Sequence, residues 1–144
     1  MSSTDFMPLE GWDHVELWVG NAKQAAYFYE RAFGFTRTAY AGPETGVRDR
    51  ASYVLEQGEI RLVVTSGLRA DSEVAQFAGR HGDGAKTIGL QVPSAGEAFS
   101  QAVQRGASAI TFAASPCRPA YCATSLSARS PLVTTRRISP CSST

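Results

Sequence analysis

Two histidines and three cysteines are the side chains of this 144-residue sequence best suited to borderline or soft metals. His14 stands in Trp12-Asp13-His14-Val15-Glu16-Leu17-Trp18, with Glu16 and Trp18 at i+2 and i+4. In an extended strand those three side chains share one face. A histidine and a carboxylate on one sheet face can begin a metal site or an acid–base pair. The competing reading is a hydrogen-bonded histidine on a half-buried sheet, with Glu16 beside it facing a cavity or solvent. His14 is the one weak candidate for a metal ligand, and no catalytic or cofactor-binding residue is assigned. His81 lies in Gly79-Arg80-His81-Gly82-Asp83-Gly84, which precedes a strand and so lacks the setting of a phosphate loop. A cationic side chain at a helix end suits the helix dipole, giving His81 a structural role. Cys117 and Cys122, within Cys-Arg-Pro-Ala-Tyr-Cys, have no nearby histidine to complete a zinc set and read as free thiols.

These residues need elements to position them. Val15, Leu17 and Val19 alternate with His14, Glu16 and Trp18, predicting a strand over 12–19. Asn21 is a good N-cap. Ala22, Ala25, Ala26, Tyr29, Ala32 and Phe33 then follow the helical period, and Gly34 supplies the stop. The aromatics Tyr27, Phe28, Tyr29 and Phe33 are expected in the core. A short strand over 35–40 and a loop over 42–46 come next. Strands over 51–55 and 60–65 follow, joined by a turn at Glu56-Gln57-Gly58. The order is βαβββ. A second helix over 72–80 ends at His81-Gly82-Asp83-Gly84, where Asp83-Gly84 is expected to turn the chain. A strand over 87–92, a helix over 95–104 capped by Ser94, and a strand over 108–113 begin a second unit that stops early. Lys23 and the scattered arginines read as solvated.

Charge and composition change abruptly along the chain. All 13 acidic residues lie at or before Glu97, and all 13 glycines at or before Gly106. From Ala98 onward there are five arginines and no acid, so the overall +1 is −4 from the body and +5 from the rest. Residues 115–144 are mostly Ser, Thr, Arg, Pro, Ala and Cys without a helical or strand period, the composition of a disordered tail. The near-zero net charge argues against nucleic-acid binding and a polybasic membrane anchor. No apolar run approaches a membrane span, and the first residues lack a secretory signal. A cytoplasmic, soluble protein is the expectation.

The run from Trp18 to Phe35, the loop Tyr40-Ala41-Gly42-Pro43-Glu44-Thr45-Gly46 with Arg48, and His81-Gly82-Asp83-Gly84 leading to Ile88 resemble the first domain of 4-hydroxyphenylpyruvate dioxygenases. The likeness covers about 11–107 and then fades. It implies an α+β fold of the vicinal-oxygen-chelate superfamily: a βαβββ module over about 12–66 and an incomplete second module over about 86–113. The family oxidises 4-hydroxyphenylpyruvate with O2 to homogentisate and CO2 in tyrosine breakdown. Its Fe(II) sits on a facial triad of two histidines and a carboxylate, which the second domain supplies. The small aromatic 2-oxo acid substrate binds there. In this chain Thr87 stands where the second module would place a histidine, and no acid follows Glu97. The resemblance therefore implies a fragment that binds no iron and is inactive alone. A hydroxymandelate synthase fragment and a non-catalytic ligand-binding module are the alternatives. An unfinished second module would leave an open sheet edge, which invites homo-oligomers.

Loss of acids and glycines together with gain of Arg, Ser, Pro and Cys is what out-of-frame reading of a GC-rich gene tends to give. Translation of the coding DNA in its other two frames is expected to restore a sheet-forming continuation with His and Glu ligands downstream of 108–115. Failure of both frames would overturn this reading.

Overall fold

The computed structural model describes residues 5–109, 124–126 and 132–134, with side chains described over 5–107. It divides into two units, His14–Lys86 and a second one formed by residues up to Asp13 with those from Thr87 onward.

The first unit has the expected βαβββ order. Strand β1 (Gly11–Trp18) enters it, helix α1 (Ala22–Phe33) follows, and β2 (Thr36–Ala41), β3 (Arg50–Gln57) and β4 (Ile60–Gly67) complete the sheet. The strands lie in the order β2-β3-β4-β1, with β1 parallel to β4 and the other pairs antiparallel. Val15 is opposite Leu62 and Leu17 opposite Val64, while Ser52 is opposite Thr65. Helix α1 starts where Asn21 accepts a hydrogen bond from the Gln24 N–H. It ends where Gly34 takes a left-handed φ of 77°, which costs glycine nothing and lets its N–H reach the Glu30 carbonyl. Its Ala22 and Ala26 pack with Val19, Tyr53, Leu55 and Val64 in one cluster, flanked by Leu17, Ala25, Tyr29, Phe35, Tyr40 and Leu62. The other face of the sheet, carrying the alternate residues, holds the polar groups considered below.

Helix α2 (Glu73–His81) is capped by the Ser72 hydroxyl and packs against β4. The approach is close: a methyl group on Gly67 would lie 2.2 Å from the Ser72 Oγ and 2.9 Å from the Ala75 amide nitrogen. Only glycine fits there.

In the second unit, the end of β5 (Gly84–Gln91) is followed by α3 (Ala95–Gln104), with Ser94 as N-cap, and by β6 (Ser108–Ala109). Two further pieces are β7 (Thr124–Leu126) and β8 (Leu132–Thr134). β5 pairs antiparallel with β7, β7 with β8, and β8 parallel with β6. The element order thus repeats the first unit, but its wiring does not. β1 meets its fourth strand in parallel, whereas β5 meets β7, its third strand, antiparallel.

Several sequence expectations need correction. Tyr27, Phe28 and Phe33 are not core residues, being 57%, 56% and 55% exposed. The apolar stripe of α1 narrows to Ala22, Ala25, Ala26 and Tyr29, and Phe35 rather than Phe33 continues it into the sheet cluster. The β3–β4 turn falls at Gly58-Glu59, with Gln57 opposite Ile60 and Gly58 at φ 57°. Strand β5 begins at Gly84, three residues early, because Gly82 (φ 75°) makes the turn assigned to Asp83-Gly84. Within 115–144, residues 124–126 and 132–134 are strands despite lacking a strand period. Ladder hydrogen bonds from neighbouring strands define such short pieces more than their own composition does. The rest of that segment, with Cys117, Cys122 and Cys141, lies outside the described residues, as does most of the strand expected over 108–113. Among the described residues no helix is long and apolar enough to cross a membrane.

On β2, the Tyr40 hydroxyl donates to the Glu44 carboxylate at 2.7 Å. That bond, with burial as a lesser cause, pushes the Tyr40 pKa up to about 12 from 10.0. The same bond holds Glu44 below its ordinary range. A raised tyrosine pKa stabilises the fold below the unfolded value and loses that contribution as pH climbs through the folded one. Ultraviolet titration should therefore show one late-ionising tyrosine, which Glu44→Gln returns toward the ordinary value. Leu55 is fully buried, so Leu55→Ala should cost about 2–5 kcal/mol in denaturant unfolding.

Candidate functional site

The polar side of the first unit's sheet is the place where side chains with chemistry converge. Alternation on β1 sets His14, Glu16 and Trp18 opposite to the α1-facing Val15, Leu17 and Val19, as the sequence predicts. His14 is buried, 5% exposed. Glu16 is half-buried and accepts a hydrogen bond from the Thr65 hydroxyl on β4 at 2.8 Å. Thr65 is in turn 2.9 Å from the Ser52 hydroxyl on β3. Since the single Thr65 proton points to Glu16, Ser52 must donate to Thr65. The result is a directed chain, Ser52 to Thr65 to Glu16, that crosses three strands and ends on a carboxylate. Thr65 and Ser52 are 0% and 4% exposed, so the chain runs through a dry part of the fold.

Farther along the same strand, Trp18 lies edge-on to Phe77 of α2 with ring centres 5.5 Å apart. The Lys86 ammonium sits 5.0 Å from the Trp18 ring centre and 5.1 Å from that of Phe77. It also lies 3.9 Å from a Glu73 carboxylate oxygen. Cation–π attraction and a partly exposed ion pair together hold Lys86 at this corner. The Trp18 Nε1–H is buried without a hydrogen-bond partner among the described residues. His81 does not join His14. It ends α2, exposed to solvent, with its ring 4.9 Å from that of Phe77. Thr87 is half-buried on β5.

Sequence reasoning identified His14, Glu16 and Trp18 on one face but missed Ser52, Thr65 and Lys86. Ser and Thr in apolar strands carry no signal of their own, because what matters is the cross-strand register that pairs them. Some arginines expected to be solvated are also engaged. Arg61 meets Glu56 at 2.7 Å, and Arg37 lies 4.6 Å from the Tyr53 ring centre while pairing with Glu30.

A facial triad for iron needs three donors around one point. Among the described residues no group of three or more His, Cys, Asp or Glu side chains is gathered to hold a metal. His14 and Glu16 come from one strand, and Thr65 already occupies one Glu16 oxygen. These residues do not fit the iron that the resemblance implies.

Comparison with known proteins is decisive for the family. The family model described as "Hydroxyphenylpyruvate dioxygenase, HPPD, N-terminal" matches residues 4–124. The chain belongs to that family. A 4-hydroxyphenylpyruvate dioxygenase from Dictyostelium discoideum is 44% identical over 103 residues, covering 71% of this chain and 28% of the relative. A solved triple mutant of 4-hydroxymandelate synthase from Streptomyces coelicolor superposes with a TM-score of 0.72 at 34% identity. That match covers 89% of this chain and 37% of the other. Methylmalonyl-CoA epimerase from Mycobacterium tuberculosis has a TM-score of 0.67 at 15% identity over 94% and 93% of the two chains, a likeness of fold alone. The chain thus spans about three-tenths of the length of the curated relatives it matches.

The buried hydroxyl chain makes a measurable prediction. Thr65→Val removes both the donor to Glu16 and the acceptor of Ser52, and should destabilise the fold by about 1–3 kcal/mol. Adding Ser52→Ala to Thr65→Val should cost clearly less than Ser52→Ala alone, as read from a double-mutant cycle in urea.

Proposed function

We propose that this chain is an N-terminal part of an Fe(II)-dependent 4-hydroxyphenylpyruvate dioxygenase, converting 4-hydroxyphenylpyruvate and O2 to homogentisate and CO2. The observation that supports this is the family match across 4–124, together with 44% identity to a curated dioxygenase. In this reading the dioxygenase-like domain extends over 11–107, with module one at 12–66 and a partial module two at 86–113. Of 115–144, the strands Thr124–Leu126 and Leu132–Thr134 add to the sheet of the second unit through β5 and β6. His14 is structural and carries no metal. The iron, the aromatic 2-oxo acid and the chemistry belong to the length that the relatives have and this chain does not span. When bound there, the metal supplies the coordination site for the 2-oxo acid and O2.

The chain's own residues have a narrower task. The alanine-rich face of α1 closes the apolar side of the sheet, and the Ser52–Thr65–Glu16 chain fixes the polar side. Both make a rigid scaffold rather than a reacting centre. The setting is the cytoplasm, and self-association through a sheet edge accompanies it.

A hydroxymandelate synthase is the second reading, favoured by the likeness to the Streptomyces coelicolor structure at 34% identity. The two differ in product, not in this domain's scaffold.

The isolated chain is expected neither to bind Fe(II) stoichiometrically nor to consume O2 with 4-hydroxyphenylpyruvate. Joined to the remaining length of the Dictyostelium discoideum relative, it should support O2 uptake. Homogentisate as product supports the first reading and 4-hydroxymandelate the second. Turnover by the isolated chain, or none by a folded, iron-loaded fusion, would overturn both.

A further inference from the structure

A cleft of about 410 Å3 opens on the first unit beside the start of α1. The polar sheet face described above plays no part in it. Leu17 of β1, Val19 just past its end and Ala25 of α1 form apolar walls, Phe28 and Tyr29 add aromatic ones, and Asp83, Asn21 and Gln24 supply polar groups. Its volume falls in the usual range of small-molecule sites and exceeds what a single aromatic ring needs. Phe28 is 56% exposed and meets Tyr29 edge-on at 5.7 Å, leaving ring surface toward solvent.

The polar lining has a definite sign. The Asp83 Oδ1 accepts from the Gly20 N–H at 2.8 Å, which leaves Oδ2 uncommitted among the described residues. The ion pairs among the described residues do not include Asp83, and Lys86, nearby in sequence, is directed to Glu73. No described cation is therefore paired with Asp83. The Asn21 side-chain oxygen caps the Gln24 N–H and keeps a second lone pair, which can accept from a ligand donor beside Asp83. An anionic ligand would meet the Asp83 charge directly. Asp83 is exposed, so a neutral ring would leave its second carboxylate oxygen to water, whereas an ammonium could bond to it.

We propose that this cleft binds a small aromatic ammonium compound, its ring between the apolar walls and Phe28 and its ammonium on Asp83. The proposal does not depend on the dioxygenase reading. Charge-assisted hydrogen bonds to a carboxylate are about twice as strong as neutral ones, which gives the site its preference for a cation.

Benzylammonium, benzyl alcohol and benzoate are suitable probes, titrated into the full chain while amide chemical shifts are followed. Saturable shifts are expected at Gly20, Asn21, Gln24 and Gly84. Benzylammonium should bind about two- to fivefold tighter than benzyl alcohol, with benzoate weakest. Asp83→Asn keeps an oxygen for the Gly20 N–H but removes the charge, and should erase the preference for the cation. Ala25→Phe should block all three probes by filling the cleft. If Asp83→Asn fails to fold, the ranking of the three probes on the native chain and the Ala25→Phe block decide the matter. Absence of saturable shifts, shifts centred elsewhere, or no preference for the ammonium would overturn the proposal. A preference that survives in a folded Asp83→Asn chain would do the same.

Discussion

Parallel pairing of β1 with β4 is the constraint on which the first unit depends. Two parallel strands cannot be joined by a tight turn, so the chain between them must leave the sheet and return. α1, β2 and β3 are that return path. The register, with Leu17 opposite Val64, then commits every residue of β1 to one of two faces. A slip of one residue would carry His14 and Glu16 to the α1 side and expose Leu17 and Val19 on the polar side. The burial of Ala22 and Ala26 against Leu55 and Val64 makes that slip costly.

The two faces have different characters for this reason. Beneath α1 the contacts are apolar and use small residues, which lets the helix lie close to the strands. On the other face Val54 and Val63 are buried beside Ser52 and Thr65, and burial of those polar groups without partners would be expensive. The directed bonds from Ser52 through Thr65 to Glu16 remove most of that cost. The Trp18 Nε1–H is an exception, buried without such a partner among the described residues. It lies where Gly67 admits the close approach of α2, and where Lys86 is held between Trp18 and Phe77.

Much of the fold was legible. The alternation in β1, the Asn21 and Ser94 caps, the Gly34 stop and the βαβββ order all follow from local periodicity and capping chemistry, and all are present. Local rules failed where the deciding neighbour is distant in sequence. Phe28 and Phe33 belong to an aromatic run that reads as core, yet the sheet has room only for Tyr29 and Phe35 along that line. The strand start at Gly84 was missed because Gly82, not Asp83-Gly84, makes the turn, while Asp83 accepts from the Gly20 amide, 63 residues away. Of the candidate site, His14 and Glu16 could be placed on a common face, whereas Thr65 and Ser52 could not be linked to them.

By itself the sequence determined the element order of the first unit, the sidedness of β1 and the change of composition after Glu97, because strand and helix periods and charge are properties of consecutive residues. Its motifs also carried the family likeness. Only the tertiary structure decided that Glu16 is held by Thr65, that Lys86 is clasped by two aromatic rings, and that an acidic aromatic cleft opens beside α1. Each of those depends on which strands and helices become neighbours, and on a register that no local pattern contains.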